Sequence, residues 1–120
     1  MTNGRDTLNS DRPTIAVSMG DPGGIGPECL VKALSDRDRR RRARFRIYGA
    51  AEPMRRAADK AGLEHDWWSV PAGSDLVPSS AHDVVLFDDG GDSFEASPSR
   101  RGGALSFEWV ERAIAACRAG

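Results

Sequence analysis

The chain has 120 residues, with 17 basic and 18 acidic side chains and a formal net charge of −1. That length suits one small domain and not two with separate cores, and the charge balance argues against a protein whose main task is holding nucleic acid. Hydrophobic residues make up 39% and charged residues 29%, so the chain can bury a core beneath a very polar surface. The two cysteines, Cys29 and Cys117, lie far apart and form no Cys-x-x-Cys pair. They are expected to be small buried hydrophobes in a reducing compartment, not a disulfide framework. The opening MTNGRDTLNSDR has no apolar h-region and does not read as a signal peptide. No stretch approaches the roughly 20 apolar residues that cross a bilayer. A cytoplasmic protein without a membrane partner is the expectation.

Residues 1–12 hold almost nothing to bury and read as a disordered tail. TIAVSM, 14–19, is β-branched and apolar and predicts a strand. After a glycine-rich turn, PECLVKALSD, 27–36, predicts a helix with Pro27 in its first turn and Leu30, Val31 and Leu34 on one apolar face. RDRRRRAR, 37–44, reads as a basic surface stretch. FRIYGA, 45–50, predicts a second strand, and EPMRRAADKAG, 52–62, a second helix that starts near Pro53 and ends at Gly62. Trp67, Trp68 and Val70 predict a short strand. PAGSDLVPSSA, 71–81, is a Pro/Ser/Gly loop. DVVLFD, 83–88, is the third good strand signal, and DDGGDSFEASPSRRGG, 88–103, reads as a long polar loop. GALSFEWVERAIAACRAG, 103–120, predicts an amphipathic helix. Its apolar stripe runs through Phe107, Val110, Ile114 and Cys117 and is widened by Leu105, Trp109 and Ala113. Alternating strands and helices predict an α/β fold with a parallel or mixed sheet. A helix at this point is expected to return to the sheet through a further strand, so residues 13–120 read as the N-terminal part of a truncated α/β domain.

The most informative stretch is MGDPGGIGPE, 19–28. It reads as a strand end, a turn carrying Gly20, Gly23, Gly24 and Gly26, and a helix start. Glycines let other groups approach the backbone closely. The free N–H groups of a helix start carry partial positive charge and suit a phosphate or a cofactor. No Gly-Lys-Ser/Thr follows, so this is not a P-loop. The glycine spacing also fails the dinucleotide-binding fingerprint, because Cys29 stands where its last glycine would be. On the residues alone, a plain strand-to-helix turn remains open.

MGDPGGIGPE closely resembles the opening motif of the 4-hydroxythreonine-4-phosphate dehydrogenase family, with Gly23 where many members have alanine. The preceding TIAVS and following CLVKAL are similar as well. GGALSFEWVERAIAACRAG, 102–120, resembles a second family segment, a glycine followed by an aromatic-containing helix ending in alanine-glycine. Residues 37–100 match only in the coarse order of elements. The resemblance implies the three-layer isocitrate/isopropylmalate dehydrogenase-like fold, N-terminal portion only. It further implies an oxidoreductase of pyridoxal 5′-phosphate biosynthesis that oxidises 4-phosphohydroxy-L-threonine or a related phosphorylated hydroxy acid. NAD or NADP would take the hydride while a divalent metal (Zn, Mg or Co) polarises the hydroxyl. The family acts as a homodimer, and its metal-binding histidines lie downstream of the matched segment. No catalytic or metal-binding residue is therefore carried onto this chain, which is expected to be inactive alone. The resemblance assigns Gly24 and Ile25 as cofactor-side contacts and Asp21 as the carboxylate that organises the loop.

The remaining candidates read more plainly. His65 and His82 are too few for a zinc site, which takes three or four ligands, and are expected to be exposed or capping. Asp88, Asp89 and Asp92 lack EF-hand spacing and are expected in a solvated loop. Arg39–Arg42 lack interleaved aromatics for base stacking and read as a solvated face. A small module using that face for nucleic acid or another acidic partner is the second reading. Trp67, Trp68 and Trp109 are expected in the core or at an interface.

Overall fold

The computed structural model describes residues 12–73, 83–90, 94, 97 and 99–119. Four strands form one parallel sheet: β1 (Thr14–Ser18), β2 (Arg44–Gly49), β3 (Trp68–Pro71) and β4 (Val84–Asp88), in the order β1-β2-β4-β3. The registers pair Ile15 with Phe45, Val17 with Ile47, Phe45 with Val84 and Ile47 with Leu86. Side chains alternate across a strand, so these six apolar residues share one face. Strand β2 is central, yet its other face carries Arg44, Arg46 and Tyr48. That is an unusual set for a strand covered on both sides.

The helices are α1 (Gly26–Leu34), α2 (Arg37–Arg42), α3 (Ala51–Ala61) and α4 (Arg100–Ala119). Helices α1 and α3 pack on each other, whereas α4 packs on β1 and β2. Right-handed crossovers put the β1-to-β2 and β2-to-β3 helices on one face of the sheet, and α4 covers the other, giving three layers. Val31 and Leu34 of α1, Met54, Ala57 and Ala58 of α3, and Ile47, Val84 and Leu86 of the sheet build one core with Met19 and Trp109. Helix α3 ends as its sequence suggests. Gly62 takes the left-handed conformation, φ 71°, and the chain's N–H groups there return to Ala58 and Asp59.

Several expectations are corrected. The arginine-rich stretch is on the surface as expected, with none of residues 37–42 buried, and it is also helical. Asp36 accepts hydrogen bonds from the N–H groups of Asp38 and Arg39 and caps the short helix α2. Its arginines are engaged: Arg41 and Arg42 pair with Asp38, Arg40 with Asp66, and Arg39 donates to the Ala33 carbonyl. Helix α4 begins three residues early, because the Ser99 hydroxyl accepts from the Gly102 N–H and caps it. Both cysteines are exposed, not buried. Cys29 stands on the outer side of α1, and Cys117 lies on the outer stripe of α4. The long polar loop proper and the Pro/Ser/Gly loop fall largely outside the described residues, as do His82, Asp92 and the tail up to residue 11. Arg12, at the end of that expected tail, is held by Asp83 at 2.7 Å.

The largest correction is the phase of α4. Trp109 is 0% exposed and Ala113 is buried, whereas Phe107 is 66% exposed and Val110 and Ile114 are exposed too. The stripe read as the core face points outward, and the residues read as its margin face the sheet. Trp109→Ala should therefore cost about 3–5 kcal/mol, and Phe107→Ala should stay within about 0.5 kcal/mol. Urea denaturation of the two variants checks this, and equal losses would contradict the assigned phase.

Candidate functional site at the carboxyl ends of the strands

In parallel α/β sheets, ligands collect outside the carboxyl ends of the strands. Three segments meet there: the bend after β1, Gly49–Ala51 after β2, and Asp88–Gly90 after β4. The Met19 N–H donates to the Tyr48 carbonyl and the Asp89 N–H to the Gly49 carbonyl, which ties the segments edge to edge. Asp88 and Asp89 are not solvated loop residues. Asp88 Oδ1 accepts from the Ala51 N–H, so it caps α3, whose own N-cap Ala50 has no side chain to do so. Asp89 accepts from the Trp109 indole N–H at 2.8 Å and from Arg112 at 2.7 Å. The Asp89 hydrogen bond, partly offset by burial, pushes the Arg112 guanidinium above its ordinary pKa.

The bend itself is a tight turn. The Asp21 carbonyl accepts from the Gly24 N–H at 2.8 Å, and the Asp21 carboxylate accepts from the Gly23 N–H at 2.8 Å. The second carboxylate oxygen accepts from the Ser99 N–H at 3.3 Å. Ser99 is the N-cap of α4, and residue N3 is Gly102. In an ordinary capping box a Glu or Gln at N3 reaches back to the N-cap N–H. Gly102 has no side chain to do this, and a Cβ there would collide with the Asp21 carboxylate. Asp21 occupies that space and completes the box from a distant segment. Gly26 is equally constrained, since a Cβ on it would run into the Met19 carbonyl.

The sequence-assigned residues are thus brought together, with different parts. Asp21 is turned inward onto backbone N–H groups and organises the loop. Ile25 is 78% exposed at the crest of the bend. Gly24 lines a shallow cavity of about 180 Å³ between the bend and α3, together with Pro22, Glu28, Arg56 and Lys60. Arg56 donates to Glu52, to the Phe94 carbonyl and, at 3.5 Å, to the Pro22 carbonyl. Two cations beside a glycine backbone suit an anionic group. Sequence reading missed Arg56, Lys60, Asp88, Asp89 and Ser99. For Ser99 a local signal existed, a serine three residues ahead of Gly102. The others act across the fold and leave no spacing to read.

Beneath the bend, burial and then the nearby Cys117 push the Tyr48 phenol above its ordinary pKa. Burial and then neighbouring Arg44 lower that of Arg46. Among the described residues, no group of three or more His, Cys, Asp or Glu side chains could hold a metal ion. His65 is exposed and bonds Asp59 at 2.8 Å while stacking on Trp67. No helix among the described residues is long and apolar enough to cross a membrane.

These contacts set an order among glycine substitutions. Gly26→Ala and Gly102→Ala should each cost 2 kcal/mol or more, on the order of an overpacked core site (roughly 1–3 kcal/mol). Gly103→Ala meets nothing within 4 Å and should stabilise by about 0.5–1 kcal/mol in the helix. Thermal denaturation of the three variants checks the order; a tolerated Gly102→Ala would refute the assigned Asp21 packing.

No protein-family model matches the chain. Among curated proteins, it is 32% identical over 94% of its length to the 4-hydroxythreonine-4-phosphate dehydrogenase of Trichlorobacter lovleyi, and covers 35% of that protein. It is 41% identical over 48% of its length to the D-threonate 4-phosphate dehydrogenase of Bordetella bronchiseptica. The crystal structure of a 4-hydroxythreonine-4-phosphate dehydrogenase from Burkholderia phymatum matches 91% of the chain with a TM-score of 0.75 at 22% identity, over 34% of its own length. The chain thus spans about a third of the length of the relatives it matches. The α/β fold expected from the sequence is the fold of these solved dehydrogenases across the part it covers. Over about a third of their length, the chain is similar in sequence to 4-hydroxythreonine-4-phosphate dehydrogenases and shares their fold.

Proposed function

We propose that this chain forms one wall of the cofactor cleft of an NAD- or NADP-dependent, metal-dependent dehydrogenase. The substrate in this reading is 4-phosphohydroxy-L-threonine or a related 4-phosphorylated hydroxy acid, and the setting is the cytoplasm. The observation that carries the reading is the bend Asp21–Gly26. It stands at the carboxyl ends of parallel strands, with Ile25 uncovered and Gly24 beside Arg56 and Lys60.

Each residue then has a task. Asp21 fixes the bend against the start of α4, so that the backbone at Gly24 and Ile25 holds one position. Ile25 offers an apolar surface to a ring and excludes water from it. Arg56 and Lys60 attract the anionic part of the cofactor toward the bend. The nicotinamide, when bound, supplies the hydride acceptor. The described residues do not by themselves fit a divalent metal. In this reading the metal ligands and the substrate-phosphate contacts belong to a larger catalytic unit, a homodimer of chains of the relatives' length.

The 120-residue chain alone should show no turnover with 4-phosphohydroxy-L-threonine, NAD and a divalent metal in a spectrophotometric assay of nicotinamide reduction. Robust turnover would overturn the proposed division of the site. In a chain extended to the length of its relatives, Ile25→Asp should raise KM for the nicotinamide cofactor by about tenfold, as expected for loss of one well-packed apolar contact. An unchanged KM would remove the bend from the cofactor site.

A further inference from the structure

A second site lies away from the bend, where α1 and α2 face the segment after α3. A cavity of about 190 Å³ opens there. Its walls are Val31, Leu34, Leu63 and the Trp67 indole, and its polar edge carries Arg37 and Arg40 together with Ser35, Glu64 and Asp66. Arg40 and Trp67 also line a neighbouring cavity of about 210 Å³ that reaches Asp83 and Trp68. An apolar cavity of about 150 Å³ is large enough for benzene, so the first cavity fits one six-membered ring with a small substituent. The Trp67 indole, which stacks on His65, borders this cavity and offers it an aromatic wall.

The polar end of the ligand follows from Arg40. Its side chain is only 14% exposed and is held from the backbone side, because the Arg40 carbonyl accepts from Arg12. Its guanidinium touches Asp66 through one nitrogen alone, at 2.7 Å, and Asp66 is 69% exposed. A guanidinium is a fork that matches a carboxylate through two parallel hydrogen bonds. One prong is in use, on a partner that sits in solvent. A ring in the cavity with a carboxylate directed at Arg40 would take the unused donors, and could displace Asp66 from the used one. We propose that this cavity binds single-ring carboxylates, with the ring against Trp67 and the carboxylate on Arg40. The site is separate from the bend and does not depend on the dehydrogenase reading.

Benzoate is the probe, followed by the indole N–H resonances of the three tryptophans. Benzoate should shift the Trp67 signal saturably and leave that of the fully buried Trp109 unchanged. Benzyl alcohol, which keeps the ring and loses the charge, should bind about tenfold more weakly, the value of a charge-assisted hydrogen bond. Arg40→Gln should weaken benzoate by a similar factor. Because Arg40 also ties α2 to the segment after α3, two further variants guard against a folding effect. Asp66→Asn should tighten benzoate severalfold by releasing the guanidinium, and Leu34→Trp should abolish binding by filling the cavity. A non-saturating Trp67 shift, equal binding of benzyl alcohol, or an Asp66→Asn variant that binds no better would each overturn the proposal.

Discussion

The architecture at the upper edge of this sheet depends on one carboxylate. Asp21 accepts the Gly23 N–H within its own turn and the Ser99 N–H at the start of a helix 78 residues away. The first bond closes the turn. The second anchors α4, the helix that covers the opposite face of the sheet from α1 and α3. Charge near a helix N-terminus is favoured by the helix dipole, and each backbone N–H left unpaired on partial burial would cost about 1–3 kcal/mol. Gly102 is the counterpart of this arrangement. It supplies no carboxylate of its own at the third helical position, and by having no side chain it leaves room for one from elsewhere.

The same economy recurs at the end of β4. Ala50 cannot cap α3, so Asp88 reaches across from β4. Asp89 holds the indole of Trp109 and the guanidinium of Arg112, both from α4. Three carboxylates from the ends of β1 and β4 thus position three helix segments. They leave Ile25 exposed and Gly24, Arg56 and Lys60 along the shallow cavity beside the bend. A rigid platform with a small uncovered apolar crest is what a cofactor-contacting loop requires, since positioning to within fractions of an ångström decides its effect.

Much of this was readable from the residues. The β-branched runs at 14–18 and 84–88 became strands, and Gly62 ended its helix in the left-handed cap that glycine favours. The glycine bend was located because its spacing is local and the chain must turn there. What could not be read was long-range. The stripe of Phe107, Val110 and Ile114 satisfies helical periodicity as well as the set around Trp109 does. The choice between them was made by the indole N–H, which needed a buried acceptor and found Asp89 after β4. The aspartates at the end of β4 read as solvated because no sequence pattern says that the Ala51 N–H, 37 residues before Asp88, lacks a partner in its own segment. Helix α2 was missed because four arginines mask the Asp36 cap. The cysteines were assigned by their average burial, and here each stands on the outer side of its helix.

The most direct test of this account is amide hydrogen exchange at Gly23 and Ser99 in the wild type and in Asp21→Ala. A single carboxylate joining the two segments predicts that both amides are protected in the wild type and that both lose protection together in the variant, while the Gly62 amide, bonded within its own helix end, is unaffected. Retained protection at Ser99 when Asp21 is removed would contradict it, and with it the claim that the bend and the start of α4 are held as one unit.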